Sequence, residues 1–294
     1  MLRGYVEVPW GQLHYARWDP LSPRERDSRS PEENADSVPR READAQTKPR
    51  AIVLLHQTPR SFKEYLGVLP ILGERWTTVA FDTPGFGASD LPPDEESIEA
   101  YAAGILIGLK ALALEQVLLV GHHTGALVAI EVAVSAPELL CGLVLSSAPL
   151  KTPEERMHAL EGPGIDEVEV RVDGSHLREL WQKRAAFYPK DRPDLLTAFV
   201  ADALLVADRV EEGHRAVNRY VVEERVSRLR PPVLVLGARE DPFAWPHVER
   251  WRQALPWAEF AEIPEGMVPL PDQLPEAFAA EVAKFAGKVS LVLS

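Results

Sequence analysis

Residues 118–128 read LLVGHHTGALV, a Gly-x-x-x-Gly frame between a short apolar run and a stretch able to open a helix. Small residues at both ends suit a tight strand-to-helix turn that stands its central side chain at the top of a sheet. That central residue is His123. A free imidazole titrates near pH 6.5, at about neutral conditions, so His123 is suited to take a proton from water or from an acidic C–H. Imidazole also attacks acyl groups directly. The following helix would aim its first N–H groups at the same point and favour developing negative charge there. Other chemistries find less support. His122 and His123 are adjacent and ill placed to share one ion. There is no His-x-x-x-His or His-Glu-x-x-His, and the lone Cys141 lies in an apolar run, read as a buried structural thiol. No GxGxxG or GxxxxGK[ST] marks a nucleotide site. No metal and no cofactor are expected.

The elements needed to position His123 are legible as runs. GYVEVPWGQLHYARW alternates around a Trp-Gly turn and predicts an N-terminal β-hairpin within 1–19. Residues 20–50 then turn rich in Pro, Ser, Glu, Asp and Arg, too poor in large apolar groups to offset ordering entropy. They are expected to be a disordered or loose insertion. From 51 onward apolar runs at 51–55, 77–81, 116–120, 142–147, 232–237 and 258–263 read as strands buried on both faces. Helical stretches at 61–74, 97–113, 124–136, 244–255 and 274–286 separate them. Such alternation predicts an α/β fold, a mostly parallel central sheet with helices on both faces. The alternation breaks over 151–230, charged and helical without a strand signal, which predicts an inserted helical cap between core parts 51–150 and 231–294. The ending KVSLVLS suits an extra edge strand or a dimer contact.

LLHQTPRSF (54–62) follows the first core strand and FDTPGFGASD (81–90) the second. With the 121–125 frame, these motifs resemble the α/β-hydrolase fold. The resemblance is to its capped branch of haloalkane dehalogenases, epoxide hydrolases and small esterases, over about 51–150 and 231–286. It implies a nucleophile, usually serine, where this chain has His123, with oxyanion-holding backbone N–H groups on Thr58 and Thr124. It implies an acid at Asp241 in GAREDPF, oriented to hold His123 and stabilise its protonated form. The family's histidine aligns with Val268, and no histidine follows His247. The serine or aspartate mechanism therefore lacks both nucleophile and base. His56 holds the place from which a histidine props the loop, and His122 one that points away from the pocket mouth. Cap residues His176, Trp181, His214 and Tyr220 are candidates to supply a base or orient substrate, with His214 and Asn218 on one helical face.

The whole chain of 294 residues carries a net charge of −13, which disfavours nucleic acid and anionic membranes as partners. No apolar run nears the about 20 residues of a membrane span, and the start lacks the regions of a secretion signal. A single cysteine fits a reducing cytoplasm. The expected partner is a small-molecule substrate, with a homodimer left open. Three functions remain. One is a hydrolase of a small ester or lactone using base-assisted water. Another is a cofactor-free lyase or isomerase in which histidine abstracts a carbon-bound proton. The third is a ligand-binding protein without catalysis.

Overall fold

The computed structural model describes residues 1–20, 51–93 and 95–292. Most of the proposed 20–50 insertion lies outside these residues. Eight strands form one sheet: β1 (Leu2–Val8), β2 (Gly11–Trp18), β3 (Ala51–Leu55), β4 (Thr77–Phe81), β5 (Val117–His122), β6 (Leu140–Ser146), β7 (Val233–Ala238) and β8 (Glu259–Ile263). Their order is β1-β2-β4-β3-β5-β6-β7-β8, with the β1–β2 and β2–β4 pairs antiparallel and the other pairs parallel. The sequence shows why. β1 alternates exposed and buried residues as a one-faced strand does, whereas AIVLL of β3 and VLVLGA of β7 are buried throughout.

The core helices are α1 (Val68–Gly73), α2 (Ile98–Ala111) and α3 (Thr124–Ser135), and, after the cap, α9 (Val248–Ala254), α10 (Leu270–Gln273) and α11 (Pro275–Val292). Ile105 and Leu109 of α2 and Leu127 and Ile130 of α3 pack on one sheet face, and Leu69 of α1 with Phe278 and Val282 of α11 on the other. Burying each such side chain contributes about 1.5–3 kcal/mol. Two expectations are corrected. The helix expected over 61–74 is broken into a 3-10 turn, Phe62–Tyr65, and α1, with Gly67 between. The edge strand weighed for the ending KVSLVLS is corrected over its described residues, 288–292, which continue α11. Buried Val289 keeps the helical phase that began at Pro275.

Between β6 and β7 the described chain is helical: α4 (Pro153–Glu161), α5 (Ser175–Arg184), α6 (Pro193–Leu204), α7 (Glu212–Arg219) and α8 (Glu223–Val226). Leu180, Leu196 and Phe199 form a small core of their own, which Val268 joins from below. Polar ties fix these helices to the sheet domain. Fully buried Arg60 reaches Asp202 of α6 at 3.2 Å and Asp272 of α10 at 2.7 Å, and Lys63 meets Asp202 at 3.0 Å. Breaking such a buried pair leaves an uncompensated charge, so the junction resists piecemeal opening.

The chain runs from β3 to β4 on one side, then returns to β5 on the other. The carboxyl ends of β3 and β5 therefore flank the point where strand order reverses, the usual crevice for ligands in open α/β sheets. Residues 56–58 and 122–124 lie there.

Candidate active site

The turn after β5 is as tight as its glycines imply. A Cβ on Gly121 would sit 2.1 Å from the Gly125 carbonyl oxygen, and one on Gly125 would sit 2.1 Å from that of Leu55. Between them His123 has φ 48° and ψ −114°, a conformation that costs a side-chain-bearing residue about 1–3 kcal/mol. The His123 N–H is tied to the Ser146 carbonyl at 3.0 Å, which fixes the turn against β6. The His123 side chain, 15% exposed, lines a cavity of about 80 Å³.

Asp241 lies after β7 and is buried completely. Its Oδ1 accepts the N–H groups of Phe243 at 3.0 Å and Ala244 at 3.1 Å, an arrangement Asp favours at such turns. Its Oδ2 lies 2.8 Å from His123 Nε2. The two atoms are at ion-pair distance but off the ideal hydrogen-bond axis, and neither has another partner. Burial pushes the Asp241 carboxyl up, but the charge of His123 and the backbone N–H of Phe243 outweigh it and hold it below the usual range. A carboxylate beside Nε2 favours the tautomer with its proton there, leaving the lone pair on Nδ1.

Thr58 and Thr124 line the same cavity, and their hydroxyl oxygens are 2.8 Å apart. Thr124 opens α3, where N–H groups have no acceptor within the helix. Helix α7 presses on this pair: a Cβ on Gly213 would meet Thr58 Oγ1 at 2.2 Å. Gln57 is held by Glu64, which accepts its backbone N–H at 3.0 Å and its side-chain amide at 2.5 Å.

Val268 lines the cavity too, with an apolar side chain where the resemblance implies an imidazole. Its carbonyl accepts from His122 Nε2 at 2.9 Å, so His122 Nδ1 must accept from the Ser146 hydroxyl, 3.0 Å away. Burial, aided by His123, pushes His122 down to about 3, and both its nitrogens are engaged. His56 lies outside the cavity wall. Its Nε2 accepts the Thr83 N–H at 2.9 Å and its Nδ1 donates to the Gln57 carbonyl at 2.8 Å, which joins the loops after β3 and β4.

Of the cap candidates only His214 reaches the cavity. His176 accepts the Arg171 N–H at 3.1 Å within the cap. Trp181 packs on the cap's own core. Tyr220 donates to Glu131 of α3 at 2.8 Å, well inside the cap–core junction. None of the three lines this cavity. Sequence reasoning missed Gln57, Lys151, Ile165, Arg184 and Phe243 on the wall. Lys151 alone had a usable signal, because it follows β6 where the chain leaves for the cap. Among the described residues, no group of three or more His, Cys, Asp or Glu is arranged to hold a metal. No described helix is long and apolar enough to cross a membrane.

An eight-stranded, mostly parallel sheet with a strained elbow after β5 and an acid after β7 defines the α/β-hydrolase fold. The chain belongs to the alpha/beta hydrolase family, which it matches over residues 52–281. It is 39% identical over 98 residues to an uncharacterised protein of Mycobacterium tuberculosis, a match covering 33% of this chain and 29% of that one. The matched part thus spans under a third of that relative's length. An uncharacterised hydrolase of Bacillus subtilis, YugF, is 24% identical over 259 residues, covering 80% of this chain and 89% of YugF. The crystal structure of the enol-lactonase from Burkholderia xenovorans superposes with TM-score 0.72 at 16% identity, over 97% of this chain and 100% of that one.

Proposed function

We propose that this hydrolase uses His123 as a general base to hydrolyse a small ester or lactone with water. The observation that carries the reading is the 2.8 Å approach of His123 to fully buried Asp241 at the cavity wall. In the proposed cycle, Nδ1 takes a proton from water as the water oxygen attacks the carbonyl carbon. Asp241 stabilises the imidazolium that forms. The carbonyl oxygen becomes an oxyanion held by the backbone N–H groups of Thr124 and Thr58. Collapse breaks the C–O bond to the leaving alkoxide, which takes the proton back from Nδ1. The products are an acid and an alcohol, and His123 is restored. The strained elbow supports this reading, because such conformations persist where function holds a side chain in place.

The test is an ester and lactone panel on wild type beside His123→Ala, both checked for folding. The variant is expected to lose roughly two or more orders of magnitude. Equal rates would overturn the role of His123. Deuterium uptake into a carbon acid without hydrolysis would transfer the same base to a lyase or isomerase.

A further inference from the structure

The wall that His123 shares is basic. Lys151, Arg184 and His214 line it with Gln57, Thr58 and Thr124, and among the described residues no carboxylate does. The acids of the neighbourhood stand behind these groups. Fully buried Asp166 holds Arg184 in a two-pronged contact, with Nε to Oδ1 at 2.6 Å, and lies 2.9 Å from His214 Nε2. Asp166 is itself pinned by Glu211, which accepts its backbone N–H at 2.8 Å.

Lys151 differs from Arg184. Its ammonium donates to Asn218 Oδ1 at 2.6 Å, a neutral partner. Among the described residues it forms no ion pair, and the acids that act on it from a distance are Glu155 and Glu211. Glu155 is already paired with Arg250 at 2.5 Å. An ammonium drawn partly out of water with one neutral acceptor has lost more solvation than the protein returns. Burial accordingly pushes Lys151 below its ordinary value.

We infer that Lys151 binds a carboxylate, so that the substrate of the proposed hydrolysis is a small carboxylic acid bearing its ester or lactone elsewhere. The substrate role rests on the hydrolase reading; the anion site rests on the wall alone. The chemistry favours a carboxylate over a phosphate. Asp166 already occupies the planar fork of Arg184, the group best matched to phosphate, which leaves one ammonium for one negative charge. The cavity of about 80 Å³ also sets a small ligand.

The experiment is calorimetric titration of the full chain with glutarate, its neutral isostere glutaramide, and inorganic phosphate. Glutarate is expected to bind wild type at least roughly tenfold tighter than glutaramide, and Lys151→Met to remove that difference. Lys151→Arg, which keeps the charge, should retain most of it and serves where Lys151→Met fails to fold. Glutarate binding is read without turnover, so it survives a failure of the catalytic reading. Equal affinity for glutarate and glutaramide, no binding of either, or unchanged glutarate binding in Lys151→Met would overturn the inference. Phosphate bound through Lys151 in place of glutarate would overturn the choice of carboxylate.

Discussion

Replacing Asp241 by Asn changes one atom and reverses the logic of the site. The backbone N–H groups of Phe243 and Ala244 can still be accepted by the amide oxygen, so the turn after β7 should stand. The atom 2.8 Å from His123 Nε2 then becomes an N–H donor where a carboxylate oxygen was. Nε2 must accept, and the ring proton moves to Nδ1, the nitrogen that has to take a proton from water. The imidazolium also loses its counter-charge. With charge centres about 4 Å apart and an effective dielectric of about 20, that attraction is worth about 4 kcal/mol. At about 1.4 kcal/mol per tenfold, kcat should fall by about three orders of magnitude. The tautomer can be read without a substrate, from the ring 15N shifts and long-range 15N–1H couplings of His123 in labelled protein. Protonated Nε2 in wild type and protonated Nδ1 in Asp241→Asn are expected. The same tautomer in both, or a kcat within about threefold of wild type, would refute the reasoning.

Two further predictions follow from the neighbours of His123. His123→Ser restores the hydroxyl usual in the family but gains no base, because Val268 lines the cavity, His122 has both nitrogens engaged and His214 is held by Asp166 and Arg184. Its ester hydrolysis should match His123→Ala within about threefold, and a serine variant clearly faster than that would refute the assignment of His122 and Val268. Burial holds His122 at about 3 against an ordinary 6.5, so the unfolded chain takes up a proton over this range and the folded chain does not. The stability His122 contributes is complete above pH 6.5 and is lost as pH falls toward 3. Its slope approaches about 1.4 kcal/mol per pH unit. His247, lowered to about 4 by burial and Arg250, adds in the same direction, while Asp272, raised to about 6 by burial, opposes it. Urea unfolding from pH 3.5 to 7 should therefore show a shallower acid limb in His122→Gln than in wild type; equal limbs would contradict this.

The sheet was legible because strands buried on both faces must be apolar without interruption, as AIVLL and VLVLGA are. The elbow was legible because its glycines answer to backbone contacts that no side chain can share. The segment between β6 and β7 was legible as helix but not in orientation. A charged helix face looks the same in sequence whether it meets water or a cavity. So nothing in LWQKRAAF marks Arg184 as a residue buried against Asp166. Tyr220 and Trp181, aromatic and in the cap, read as substrate contacts although they pack elsewhere. The partners that decide these cases lie far away in sequence: Asp166 is 48 residues from His214, and Glu131 is 89 from Tyr220.

Under the proposed mechanism His123 and Val268 form one change rather than two losses. Asp241 offers its Oδ1 to two backbone N–H groups and has only Oδ2 left for an imidazole. That oxygen can orient one ring. In the arrangement the resemblance implies, the ring comes from the loop after β8 and serves a hydroxyl on the elbow. Here the ring stands on the elbow itself. A second histidine at 268 would compete for the same buried oxygen or be left without an acceptor, at a cost of about 1–3 kcal/mol. Valine avoids that conflict with an apolar wall, while its carbonyl still fixes His122 beneath the elbow. The strain at φ 48° is retained with the imidazole in place. Keeping both the buried acid and the strained elbow aimed at one imidazole is costly for a residue that only fills space. Under the proposed mechanism that cost serves a base that works on water directly, without the serine it would otherwise activate.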